Sequence, residues 1–138
     1  MARAAADLPN LTVVGYQPPE RVPEVLATAD VHLVLLKAGL GASSVPSKAF
    51  SALAAGRSLI AAIDPGTEVA NVVVEAGAGL AVPPDGPDAF AAAVECLADD
   101  PDARRQMGES GRAWISQRRS PAAVATAFAA LAEDLAIG

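Results

Sequence analysis

Short apolar runs alternate with longer amphipathic segments along the first two thirds of the chain. Four runs are nearly free of polar positions, as expected for parallel strands that are covered on both faces. They span residues 11–14, 31–36, 58–63 and 80–82. Because helical patterns separate these runs, the chain is predicted to form an α/β fold with a parallel sheet, flanking helices and right-handed crossovers.

The helical segments carry start and stop residues. A helix starting near Pro23 is expected to bury its apolar positions, which are Val22, Val25, Leu26 and Ala29. A second is expected over residues 67–76, capped by Thr67, with Glu68 in its first turn and Gly77 at its end. Three further helices are predicted at residues 87–98, 101–117 and 121–137, and Asp100 and Ser120 are expected to cap the last two.

Residues 39–63, GLGASSVPSKAFSALAAGRSLIAAI, form the predicted functional centre. They contain a loop of small residues, a helix of about ten residues and a buried strand. Ser44 or Val45 is the expected cap, Pro46 suits the first turn, and Gly56 suits the end. The expected buried face consists of Ala49, Phe50, Leu53 and Ala54.

The helix start at Ser47 and Lys48 is a candidate anion site. Unpaired backbone N–H groups, the positive end of the helix dipole and the Lys48 ammonium are expected to converge there. A loop and helix start that follow a parallel strand is also the usual place for such a site in an α/β sheet. The competing interpretation is that Ser47 and Lys48 form only a solvated first turn.

Composition limits the class of protein. With 138 residues, of which 52% are hydrophobic, the chain can bury the core of one domain. Eight arginines against two lysines, with abundant alanine, are typical of bacterial GC-rich coding. The net charge of −6 and pI near 4.6 argue against a nucleic-acid partner or a basic membrane surface.

Cysteine and histidine are too few for disulfides within the chain or a cluster of these ligands around a metal. Cys96 is expected in the core, and His32 is expected to be a satisfied core or cleft-wall residue rather than a catalytic base. The sequence has no apolar run long enough to cross a bilayer and no signal-peptide core, so a cytoplasmic location is expected. The common nucleotide, lipase and zinc-protease motifs are absent from the sequence.

The order of several segments resembles the C-terminal, donor-nucleotide-binding domain of GT-B glycosyltransferases of the family 4, or group 1, type. The segments are NLTVVGY, ATADVHLVLL, VPSKAFSALAAGRSLIAAID, GAGLAVPPDGPDAF and LADDPDARRQMGESGR. The resemblance covers nearly the whole chain and implies a Rossmann-like sheet.

The resemblance also implies that residues 1–138 are a single, truncated GT-B domain. Two strand-helix units and an N-terminal acceptor domain would precede it, with residues 2–7 as the tail of a missing helix. The missing half would also be the route to any membrane-peripheral location. In the family, the strands matching residues 11–14 and 31–36 are not neighbours. We therefore expect these strands to pair directly in the isolated chain, or the chain to form a homo-oligomer.

The family's site residues map onto the predicted centre. By resemblance, the donor's diphosphate and sugar would meet Gly39, Gly41, Ser43, Ser44, Ser47 and Lys48. The family's paired glutamates, seven residues apart, correspond to Ser43 and Ser51, and the second normally receives the ribose hydroxyls. Glu68 matches a glutamate that faces the cleft, so Ser51 and Glu68 are candidate ribose or donor contacts. Since serine offers fewer acceptors than a carboxylate, these replacements bear directly on nucleotide recognition.

The resemblance implies transfer of a sugar from a nucleotide diphosphate sugar to a glycan, glycolipid or small acceptor, as in cell-surface polysaccharide synthesis. No metal or other cofactor is expected, catalytic residues are not identified, and the isolated chain is expected to be inactive. Two alternatives remain open: a non-catalytic remnant or assembly module of GT-B fold, and a GT-B-like nucleotide-sugar epimerase domain.

Overall fold

The computed structural model describes residues 8–41 and 43–136, so the expectation for residues 2–7 lies outside the described part. A 3-10 turn at Pro19–Arg21 precedes six α-helices and three strands. The helices are α1 (Val22–Ala27), α2 (Lys48–Ala54), α3 (Glu68–Glu75), α4 (Pro87–Asp99), α5 (Pro101–Arg118) and α6 (Pro121–Ala136). The strands are β1 (Val31–Leu35), β2 (Ser58–Ala62) and β3 (Gly79–Val82).

The strands form one parallel sheet in the order β1-β2-β3. Val31 pairs with Ser58, and Leu59 pairs with Gly79. All five residues of β2 are buried, because β2 has a strand on each side and helices over both faces. The hydroxyl of buried Ser58 donates to the Asp30 carbonyl oxygen, so even its polar position is paired.

The core lies on both faces of β2. Leu59 packs with buried residues of α2 and α3, whereas Ile60 packs with Leu97 of α4 on the opposite face. This division follows from the alternation of side chains along a strand. The prediction of an α/β fold with a parallel sheet flanked by helices is confirmed.

Most predicted helix ends are confirmed. Gly56 and Gly77 end α2 and α3 with φ of 70° and 56°, values that suit glycine. Asp100 caps α5 by accepting from Ala103 N at 2.8 Å, and Ser120 Oγ accepts from Ala123 N at 3.2 Å. A short side chain that satisfies an N-terminal N–H group is what the sequence pattern indicated.

The prediction of a strand at residues 11–14 is wrong for this chain. The segment has no strand partner within residues 8–41 and 43–136, and Leu11, Val13 and Val14 are exposed. Direct pairing with β1 is wrong as well, because β1 has β2 as its one partner among the described residues. An apolar run marks a segment that is suited to burial, but a strand also needs a neighbour for its backbone hydrogen bonds.

The predicted apolar face of α1 is largely uncovered. Val22 and Val25 are exposed, and Leu26 is only half-buried. The helix forms at the expected place, with Pro23 in its first turn, but it finds little core to pack against. The region before β1 therefore forms a helix where the sequence predicts one, but the apolar side chains of this helix are not buried as predicted.

Helix α5 runs antiparallel to α2 at very close range. A β-carbon on Gly108 would overlap the carbonyl oxygen of Gly56, and one on Gly111 would lie 2.8 Å from Leu53 Cδ2. Further along, Arg119 reaches Phe50 near the start of α2. As residue numbers rise on α5 their partners on α2 fall, so the end of α5 lies beside the beginning of α2.

None of the helices in the described ranges combines the length and the apolar character needed to cross a lipid bilayer.

Candidate functional site

The candidate site lies where the sheet's strands end. The loop after β1 leads to Lys48, the first residue of α2, and the loop after β2 leads to Glu68, the first residue of α3. Because β1 and β2 are parallel neighbours, both loops leave the same carboxyl edge. Lys48 and Glu68 therefore lie at the same edge of the sheet.

Asp64 ties these two loops together. Its Oδ2 accepts a hydrogen bond from Gly39 N at 2.9 Å and another from Gly41 N at 3.2 Å. Bonds from N–H groups to a carboxylate are stronger than neutral ones, so the glycine loop is fixed by an internal anion. Sequence reasoning missed Asp64, although a carboxylate directly after a buried parallel strand was the available signal.

Glycine is required at two positions of this loop, for two different structural reasons. Gly39 adopts a φ of 80°, which side chains disfavour. A β-carbon on Gly41 would lie 2.5 Å from Thr67 Cγ2, so the loop and the start of α3 are in close contact. Thr67 occupies the N-cap position of α3, but its hydroxyl donates to the Asp64 carbonyl oxygen at 2.8 Å, so the predicted side-chain cap is wrong.

The serines of the loop differ in their partners. The backbone N–H groups of Ser43 and Ser44 both donate to the Leu40 carbonyl oxygen, and Ser43 Oγ does so at 3.2 Å. Ser47 occupies the N-cap position of α2 without a side-chain cap bond, so the prediction of Ser44 or Val45 as the cap is wrong. The helix therefore starts at Lys48.

Helix α2 is shorter than predicted, with seven residues. It buries Ala49, Ala52 and Leu53, while Phe50 is half-buried and Ala54 is exposed. The expected face is therefore wrong at Ala54 and missed Ala52, which packs in the same cluster as Ala49 and Leu59. Lys48 remains exposed, and its ammonium forms no ion pair within residues 8–41 and 43–136.

Ser51 and Glu68 both lie close to Arg119, which sequence reasoning missed. Arg119 and Ser51 line a cavity of about 370 Å³, together with Phe50, Ala54 and Ile115. Arg119 Nη2 also donates to Glu68 Oε1 at 2.6 Å. The only sequence signal for Arg119 was a cation at the end of a long helix, where it complements the helix dipole.

The site residues thus form two groups. Gly39 and Gly41 are hydrogen-bonded to Asp64, whereas Glu68 pairs with Arg119, which lines a cavity with Ser51. In the part of the chain that is described, no hydrogen bond or ion pair joins Lys48 to either group.

Two other predicted positions do not belong to this edge. His32 Nε2 lies 2.9 Å from the Leu26 carbonyl oxygen, which suits a structural side chain between α1 and β1. The prediction that Cys96 is a core residue is wrong, because Cys96 is exposed on α4. Among the residues that the structure describes, no cluster of three or more His, Cys, Asp or Glu residues could hold a metal ion.

Comparison with known proteins gives two matches. A family model described as glycosyl transferases group 1 matches residues 2–114. The probable glycosyltransferase WbjE of Pseudomonas aeruginosa is 37% identical over 70 residues, which are 51% of this chain and 18% of that relative. The chain therefore matches only a minor part of that protein's length. No solved structure gives a significant match.

Proposed function

Because the chain belongs to the group 1 glycosyl transferases, we propose that it is the donor-binding part of an enzyme that uses a nucleotide diphosphate sugar. The acceptor would be a glycan, a glycolipid or a small molecule, bound by a separate acceptor domain. The 138-residue chain alone would bind the donor weakly and catalyse no transfer.

One observation carries this proposal: the carboxyl edge has a fixed loop followed by a free cation. Asp64 holds Gly39 and Gly41 in place, and Lys48 follows at the start of α2 without an ion-pair partner among the described residues. A positive charge beside a diphosphate stabilises the negative charge that develops on it as it leaves. In this proposal Lys48 replaces the metal ion that other transferases use for the same purpose.

The experiment is a calorimetric titration of the chain with UDP and GDP. A charge-assisted contact contributes about 1.5 to 3 kcal/mol, so Lys48→Ala is expected to weaken binding by about one to two orders of magnitude. Lys48 is exposed, so the melting temperature should hardly change.

Arg105→Ala is the matched control for Lys48→Ala. It also removes one positive charge, but from an exposed pair with Asp102 at the start of α5. Equal affinities of wild type and Lys48→Ala would place the diphosphate elsewhere. A wild type that binds neither nucleotide at millimolar concentration would contradict donor binding by this chain.

Ser51→Glu tests where the ribose binds. The variant restores a carboxylate that can accept both ribose hydroxyls, so it is expected to raise affinity by about tenfold. Ser51 is exposed, and its hydroxyl makes only a 3.5 Å contact with the Ser47 carbonyl oxygen, so the fold loses little. Reduced affinity would mean that the carboxylate pairs with Arg119 instead or that the ribose lies elsewhere.

A second candidate is an assembly module whose partner is another copy of this chain. The observation that favours it is the outer edge of β1, which has no strand neighbour among the described residues and where Leu33 and Leu35 are 52% and 62% exposed. An uncovered apolar edge strand is a template for pairing with another chain. Light scattering of wild type and Leu35→Lys tests it: a dimer that the variant dissociates is expected, and a wild-type monomer at high concentration would contradict it.

A further inference from the structure

Two residues that are far apart in the sequence, Glu68 and Arg119, meet at the candidate site. Their side chains form an ion pair of 2.6 Å across a separation of 51 residues. On the premise of the proposed function, we infer that Arg119 is a positioning residue for donor binding. It fixes the Glu68 carboxylate at the start of α3, where that carboxylate accepts hydrogen bonds from hydroxyl groups of the donor.

The chemistry of a carboxylate limits what Glu68 can contact. An ionised carboxylate only accepts hydrogen bonds, and it repels a diphosphate. Sugar and ribose hydroxyls are therefore the donor groups that suit it. Arg119 occupies Oε1, and no hydrogen bond from the described residues reaches Oε2, so that oxygen is open to a ligand.

Of the two carboxylates in the loop and helix start after β2, Glu68 is the more exposed. The other carboxylate, Asp64, accepts two backbone N–H groups of the glycine loop through Oδ2. Ser51, which lines a cavity with Arg119, supplies only a hydroxyl. The recognition of donor hydroxyls thus depends more on Glu68 than it would if residue 51 were a carboxylate.

Several contacts restrain Arg119. Its guanidinium carbon lies 5.5 Å from the centre of the Phe50 ring, a cation–π contact with α2. Its backbone N–H donates to the Ile115 carbonyl oxygen at 2.8 Å, at the end of α5. The glycines Gly108 and Gly111 hold α5 directly against α2. A restrained guanidinium with a planar fork can fix the direction of the carboxylate that it binds.

The exposure of the pair favours positioning over stability. The side chains of Arg119 and Glu68 are 47% and 44% exposed, and exposed ion pairs contribute little to folding. Arg119 also lines one cavity with Ser51 and another with Glu68, so it lies next to both candidate donor contacts.

The test is a double-mutant cycle on nucleotide binding by the full chain. UDP and GDP are titrated against wild type, Arg119→Gln, Glu68→Gln and the double variant. Each single change is expected to weaken binding about fivefold, and the double variant should bind no more weakly than Glu68→Gln, because Arg119 acts only through Glu68. Arg119→Lys keeps the charge without the planar fork and should recover part of the affinity.

Arg105→Gln is the control, since it removes one charge from an exposed ion pair on the same helix. Losses that add in the double variant, or an Arg119→Gln protein that binds like Arg105→Gln, would overturn the positioning role. If Lys48→Ala weakens binding while Arg119→Gln does not, this inference alone fails. A wild type that binds no nucleotide overturns the inference together with the proposed function.

Discussion

Strands β1 and β2 have the same length and lie side by side, yet they differ sharply in burial. Every residue of β2 is buried, whereas only Val34 is buried in β1. Both are strongly apolar, so hydrophobicity does not explain the difference. Strand β2 has neighbours on both edges and helices on both faces, while β1 has β2 on one edge. Burial in this fold therefore depends on the partners of a strand more than on its own residues.

The same contrast extends to the regions around these strands. The part from α2 to β3 contains most of the buried side chains, while residues 8–30 contain none. Segments with few buried apolar contacts open at low free energy. We expect amide exchange to be fast before β1 and slow in β2, and each of the following variants tests one aspect of this difference.

The largest effect is expected from one substitution made in both strands, Leu59→Ala and Leu35→Ala. Leu59 is fully buried, so its truncation leaves a cavity and should lower the free energy of unfolding by about 3 kcal/mol. Leu35 is mostly exposed, and its truncation should cost under about 1 kcal/mol. Chemical denaturation measures both values, and equal losses would mean that β1 is covered in solution.

A smaller effect is expected from adding one methyl group in each region, Gly108→Ala and Gly15→Ala. At Gly108 the added carbon meets the Gly56 carbonyl oxygen and should separate α5 from α2, at about 2 kcal/mol. At Gly15 no atom lies within 4 Å, so the change should stay within about 0.5 kcal/mol. Thermal unfolding distinguishes the two, and a stable Gly108→Ala protein would contradict the close packing of α5.

The smallest of these effects is expected for Asp64→Ala, which breaks the tie between the loops after β1 and β2. The variant loses two hydrogen bonds at a partly exposed position, so about 1 kcal/mol is expected, with faster amide exchange at Gly39 and Gly41. Asp85→Ala, in the exposed loop after β3, is the control. Unchanged exchange at the two glycines would show that the loop keeps its shape without the carboxylate.

The sequence predicted the fold best where local signals and long-range packing agree. Gly77 and the Asp100 cap act within one helical turn, so they could be placed without knowing the rest of the chain. Residues 11–14 carried an equally clear apolar pattern, but their fate depends on a neighbouring strand that the pattern cannot specify. The exposed position of Cys96 on α4 likewise depends on which face the sheet covers.

The sequence predicted where the loop of the candidate site lies, but it did not predict which residues contact one another there. The order of strand, small-residue loop and helix placed Lys48 and Glu68 at one edge, because parallel strands require it. Asp64 and Arg119 act across 23 to 51 residues, through contacts that no local pattern encodes. Thr67 shows the limit most clearly, because a correct N-cap position did not imply the expected cap bond.

The close glycine contacts of α5 also make the direction of Arg119 depend on the number of residues between those glycines and Arg119. Gly108, Gly111 and Ile115 recur every three or four residues and share one face of α5, and Arg119 follows four residues later at the C-cap. One residue inserted between Gly111 and Ile115 would rotate Arg119 by about 100° and advance it by about 1.5 Å. The two glycines would keep their contacts with α2, while the guanidinium would lose its ion pair with Glu68. The number of residues in this part of α5 is therefore constrained, in addition to their identities.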